Sequence, residues 1–203
     1  PDGNPRLRTS ILIAKGKNMP VDNITRAIKK GTGELEGVHY DEVTYEGYGP
    51  GGAAIFLEAM TDNKNRTVSE IRAALGKAGG NLGENGCVGW MFEQKGFITV
   101  KTDAKDEDDL MELVIDAGAD DMQTVEDHYQ ITTAMENFET VRKALEEAGL
   151  PMDTAEITRI PQNTVTIDEK KGKALLKLMD ILDDHDDIQK AYSNFDIPDD
   201  VMA

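Results

Sequence analysis

The chain has 203 residues, with 39% hydrophobic and 30% charged side chains and a net charge of −17. That balance suits one large or two to three small folded domains and excludes a disordered polymer. A charge this negative excludes nucleic acid or anionic membrane as a partner unless positive charge is concentrated locally.

It is concentrated at the N-terminus. Residues 1–31 carry Arg6, Arg8, Lys15, Lys17, Arg26, Lys29 and Lys30 against Asp2 and Asp22, a net of +5, leaving −22 for the rest. Two short helices with basic outward faces would give the same count, so charge alone leaves that reading open beside a nucleic-acid face. Cys87 is the single cysteine, so no disulfide forms within the chain, and His39, His128 and His185 are too scattered for a zinc pattern. No apolar run reaches membrane-spanning length and no signal peptide is visible, which makes the cytoplasm the expected compartment. The chain begins at Pro1 rather than Met, and a preceding piece is expected.

In chain order, Asn4-Pro5 is a helix start, with Leu7, Ile11 and Ala14 on one face. The break at 18–20 leads to a second helix in which Val21, Ile24 and Ile28 share a face and Gly31 is the stop. Lys29 and Lys30 lie in its last turn, where the helix dipole favours cations. GTGELEG (31–37) reads as a linker. From His39 the period changes to two, and DEVTYEG and AAIFLEAMT read as strands.

Between those strands stands GYGPGG (47–52), in the spacing G-x-G-x-x-G of a dinucleotide loop. That fingerprint needs a helix after the glycines. Here an apolar strand follows, so a hairpin turn is expected and no cofactor is assigned.

Thr67 and Glu70 have the spacing of a capping box for a helix with Val68, Ile71 and Leu75 inward and Gly79 as its stop. Lys64 and Arg66 precede that cap, where two cations beside a helix N-terminus can hold a phosphate; an ordinary exposed loop is the plainer reading. CVGWMFE (87–93) reads as a further strand.

GFITVKT, a helix over 106–118, DMQTVED, HYQITTA, a helix over 138–149 and DTAEITRIP then give the order β-α-β-β-α-β of a ferredoxin-like split unit. Three helices end in Ala-Gly, at 78–79, 117–118 and 148–149, as left-handed caps require. NTVTID, a helix with Leu175, Leu178, Ile181 and Leu182 inward, and IQKAYSNF close the chain. This last βαβ cannot bury its face alone.

The expected fold class is therefore α+β: a helical domain and linker over 1–37, a discontinuous α/β domain over 38–94 plus 162–203, and an inserted ferredoxin-like domain over 95–161. DDHDD (183–187) lacks the alternating ligands of a calcium loop and reads as a solvated turn; no metal site is assigned. No nucleophile or general base is marked, so no enzyme is expected.

NPRLR, NMPVDNITRAIKKGTG, YEGYGPGGAAIFLEAMTDNKNRTVSEIR and GGNLGENGCVGWMFEQKG resemble the YebC family in order along essentially the whole chain. That family includes bacterial proteins named as transcriptional regulators and the mitochondrial translational activator of cytochrome oxidase. The resemblance implies three domains, one inserted in another, and nucleic-acid binding without catalysis. It implies DNA as partner, with the ribosome or another RNA as the alternative, and leaves the acidic domains for protein partners. The family has a further basic segment with a GHSKW-like motif ahead of the position of Pro1. Its absence is expected to weaken binding. No residue-level site is carried over, so Arg6, Arg8, Lys15, Lys17, Arg26, Lys29, Lys30, Lys64 and Arg66 rest on charge and helix position.

Overall fold

The computed structural model describes residues 3–33 and 39–196, without the side chains of Pro5 and Arg6. Residues 34–37 of the expected linker, and residue 38 after it, lie outside the described residues.

Helix α1 (Pro5–Gly16) starts as its sequence requires: the Asn4 side chain accepts from the Leu7 N–H at 3.0 Å, and Pro5 takes the first helical position. Leu7, Ile11 and Ala14 are half-buried. The chain turns at Asn18, with φ 59°, and α2 (Val21–Gly31) follows Pro20. Within the pair, Ile24 is buried but Val21, expected to share its face, is 65% exposed. A periodic stripe assumes a neighbour along the whole helix, and the α1–α2 corner leaves the first turn of α2 uncovered. Gly31 is the last helical residue, and the positive φ falls on Gly33 instead.

Strands β1 (Asp41–Tyr48) and β2 (Ala54–Thr61) form an antiparallel hairpin with Gly47 opposite Ile55. Its loop is a short 3-10 turn, Pro50–Gly52, closed by the Gly49 N–H donating to Ala53 O at 2.8 Å. Gly51 has φ 79°, which a side chain would oppose. At Gly47 the reason is space, since a Cβ there would lie 2.5 Å from Asn81 O. The glycine stretch is thus the expected hairpin turn.

Helix α3 (Lys64–Ala78) follows β2, β3 (Asn81–Leu82) pairs with β1, and the distant β9 (Ile188–Ser193) pairs with β2. The sheet order is β3-β1-β2-β9. Alternation along β2 sends Ile55 and Leu57 towards α3 and α6 (Glu169–Asp183), where they meet Ile71, Leu75, Leu175, Leu178 and Leu182. The other face puts Ala54 and Phe56 against Val88 and Phe92. Ile181, expected inward, is 48% exposed. At 100° per residue it lies off the stripe that positions 175, 178 and 182 share.

The second sheet contains β4 (Phe92–Lys101), β5 (Ala119–Val125), β6 (His128–Thr133) and β7 (Met152–Pro161) in the order β5-β6-β4-β7, all antiparallel. Helices α4 (Glu107–Asp116) and α5 (Phe138–Glu147) cover one face, enclosing Ile98, Leu110, Val114, Ile131, Val141 and Leu145. This is the ferredoxin-like arrangement. Gly79, Gly118 and Gly149 all have positive φ, as the three Ala-Gly stops require.

Several expected elements differ. Residues 87–93 are not one strand: Gly89–Met91 is a 3-10 turn, and β4 begins at Phe92 and absorbs GFITVKT. The cause is Glu46, whose carboxylate takes the N–H groups of Gly86, Val88 and Gly89 at 2.7–2.8 Å, removing them from any ladder. The capping box is replaced by Asn63, whose side chain accepts from the Arg66 N–H, so α3 starts before Thr67. NTVTID contributes only β8 (Val165–Thr166), which pairs in parallel with β10 (Phe195–Asp196). IQKAYSNF breaks at Asn194, whose side chain accepts the Ala54 N–H at 2.7 Å and donates to Asn163 O.

The first sheet draws on segments either side of the second. β4 runs unbroken from Phe92 in the first core to Val100 in the second, paired throughout with β7. Arg159 on β7 bonds Glu58 at 2.9 Å and lies 4.3 Å over the Phe56 ring. We propose that 38–94 with 162–203 and 95–161 are the two α/β domains, with β4 spanning their boundary.

Candidate nucleic-acid interface

The two helices place most of the candidate cations on one small unit. Lys15 lies in the last turn of α1, and Lys29 and Lys30 in the last turn of α2, each where partial negative charge collects. Lys15, Lys17, Arg26 and Lys29 are exposed, and among the described residues no ion pair engages them. Arg8 is exposed as well, and the Arg6 side chain lies outside the described residues. Lys30 is different: its Nζ sits 5.0 Å over the Tyr40 ring. Its contact with Tyr40, with Asp62 nearby, holds its pKa above the usual lysine value against some desolvation.

Lys64 and Arg66, the expected second contact, are occupied by carboxylates. Lys64 lies 3.3 Å from Asp41. Arg66 grips Asp187 through bonds of 2.8 and 3.0 Å and also reaches Asp62 at 3.0 Å. A phosphate held by both cations at the start of α3 would have to displace these three acids.

Asp187 is buried at the centre of this cluster, accepting also from Thr67 at 2.7 Å and Thr61 at 3.1 Å. Burial pushes its carboxyl up, but Arg66 and the two hydroxyls outweigh that and leave it below the usual range. His185 Nδ1 accepts the Asp187 N–H at 3.1 Å, which leaves Nε2 to face Glu70 at 3.0 Å. The DDHDD run is therefore no plain solvated turn, because two of its members tie α6 to α3. Glu70, His185 and Asp187 come close enough to share an ion. Asp187 is already committed to Arg66, Thr61 and Thr67, and His185 Nδ1 to a backbone N–H, while among the described residues Glu70 meets only His185 Nε2, so these contacts clasp α3 to the end of α6.

Glu46 escaped the sequence reading. Burial raises its carboxyl, and the three backbone donors with nearby Arg159 lower it further, to below its ordinary value. The available signal was register: Glu46 pairs with Phe56, whose side chain enters a core. Its three bonds hold the turn that carries Trp90, which is exposed and donates to Cys87 O at 3.2 Å. Among the described residues, no helix is long and apolar enough to cross a membrane.

Residues 1–34 match the family model described as "TACO1/YebC protein N-terminal domain", and residues 40–195 match "TACO1/YebC second and third domain". A "Probable transcriptional regulatory protein" of Desulfosudis oleivorans is 56% identical over 201 residues, covering 99% of this chain and 82% of the relative. One from Geobacter sulfurreducens is 56% identical over 197 residues, covering 97% of this chain and 79% of the relative. The crystal structure of a conserved hypothetical protein from Aquifex aeolicus superposes with a TM-score of 0.88 at 48% identity, covering 100% of this chain and 84% of that one. With both models matched in order and identity above half along the chain, the protein belongs to the TACO1/YebC family.

Proposed function

We propose that the protein is a non-enzymatic, cytoplasmic transcriptional regulator that binds DNA through the helix pair α1–α2. One observation carries this reading: a chain of net charge −17 keeps Lys15, Lys17, Arg26 and Lys29 exposed and unpaired among the described residues on one small helical unit. The descriptions of the Desulfosudis and Geobacter relatives support a regulatory role. Lysine and arginine at the ends of short helices neutralise phosphates, releasing counterions, and so position the protein without reading sequence. The acidic α/β body repels the backbone and so faces away from it, where it is available to protein partners.

The test is duplex binding measured at several salt concentrations, with Lys15, Lys17, Arg26 and Lys29 each changed to Glu. If the four contact phosphates, the slope of log affinity against log salt falls by about 3–4. An unchanged slope would reject this face. Salt-resistant co-sedimentation with ribosomes, lost on nuclease treatment, together with negligible duplex affinity would replace DNA with ribosomal RNA as the partner.

A further inference from the structure

Among the described residues, two surfaces of opposite character are left uncovered. One is a groove between α3 and α6, of about 1250 Å³. Its apolar lining includes Met60, Ala73, Ala74, Leu178 and Ile181, and the alanines keep the helix surfaces low. Five carboxylates line it, from Asp62, Glu70, Asp184, Asp186 and Asp187, against three cations, Arg66, Lys77 and Lys177. Arg66 is already spent on Asp187 and Asp62, which leaves Glu70, Asp184 and Asp186 against Lys77 and Lys177, so the open rim is acidic only on balance, with Asp184 and Asp186 standing together just past α6.

The other surface is the α1–α2 corner. Leu12, Ile13, Met19 and Val21 are all exposed there, with Lys15 and Lys17 between them. A helix is roughly 10 Å across, so the groove holds about three turns, the scale of one helix of the pair. The chain's own corner does not fill the groove. Its exposure shows this, and α2 approaches the lining through Lys30 over Tyr40.

We propose that the groove receives the α1–α2 corner of a second copy, in a reciprocal pair where each corner enters the other copy's groove. Apolar floor meets apolar corner, and acidic rim meets Lys15 and Lys17. Because each copy offers both halves of the contact, two copies close the assembly with two equal interfaces. A consequence rests on the DNA reading above: pairing covers Lys15 and Lys17, so the dimer and the nucleic-acid complex exclude each other.

Sedimentation velocity of the full chain at low salt, over a range of concentrations, tests the pairing. Two variants are compared after circular dichroism confirms their folds: Asp184→Lys with Asp186→Lys in the groove, and Lys15→Glu with Lys17→Glu in the corner. Lysine at the C-terminal end of α6 suits the helix dipole, so the groove variant is expected to fold. The wild type is expected to dimerise, each variant alone to associate about tenfold more weakly or less, and the equimolar mixture to recover the dimer. A monomeric wild type, an unaffected variant or a mixture that does not recover overturns the proposal. Added duplex is expected to dissociate the wild-type dimer. Duplex bound by an intact dimer would overturn the shared face while leaving the pairing in place, whereas duplex binding lost in the corner variant alone supports it.

Discussion

The helix pair and the α/β body solve the same problem in opposite ways. The body encloses contiguous apolar clusters on its two sheets, whereas the helix pair buries Ile24 and leaves its corner and cations outside. Apolar burial is the main stabilising term in folding, so the body can be strongly acidic and still hold together. The helix pair contributes little to that core and is correspondingly free to carry unpaired positive charge. The proposed binding face and the apolar cores thus lie in different regions, and mutations should separate them.

The sharpest separation is expected in the cores. Leu145→Ala and Leu175→Ala, one in each sheet's cluster, should each cost about 2–5 kcal/mol in urea unfolding. Ile24→Ala should instead speed amide exchange within 5–31 and leave the unfolding midpoint of the body unchanged. A matching fall in that midpoint would show that the two regions unfold together.

Next is Glu46→Gln, expected to cost about 1–3 kcal/mol because three backbone donors lose a charged acceptor. The folded carboxyl lies below its ordinary value, so its contribution is present above the usual carboxylate range and lost as pH falls through the folded value. The difference between wild type and variant in urea titrations should therefore shrink in acid. A difference constant with pH would assign the cost to packing.

Reversing Lys15, Lys17, Arg26 and Lys29 should do the converse, weakening nucleic-acid binding while the thermal midpoint stays within a few degrees, as exposed substitutions usually do. A large fall in the midpoint would mean that these cations also hold the fold.

The smallest effect is expected at His128, between Asp153 at 2.9 Å and Asp127 at 2.7 Å. The hydrogen bond to Asp153 leads in raising its pKa above the ordinary 6.5, with Asp127 adding to it and desolvation opposing. Its stabilisation is full below the unfolded value and lost as pH rises through the raised one. His128→Gln should thus matter slightly in mild acid and not at all in alkali. Thermal melts across that window check the sign.

Much of the architecture was legible as period and punctuation. The switch from helical spacing to alternation at His39, the Ala-Gly stops and the split βαβ order all correspond to observed elements. The hairpin turn at the glycines was legible too, because the strand after them is visible in AAIFLEAM. The basic unit could be read from charge. That Lys64 and Arg66 are bound to acids could not, since Asp187 is 121 residues from Arg66 in sequence.

The sequence by itself determined the kinds of elements, their order and the separation of positive from negative charge, because periodicity, caps and net charge are local properties. The tertiary structure alone decided which polar groups meet. It gave Glu46 the three N–H groups that stop a strand before Phe92, locked Arg66 onto Asp187, carried β4 through two cores, and opened a groove between α3 and α6. Each depends on a buried charge or uncovered face finding its partner across the fold, and no local window of residues contains that partner.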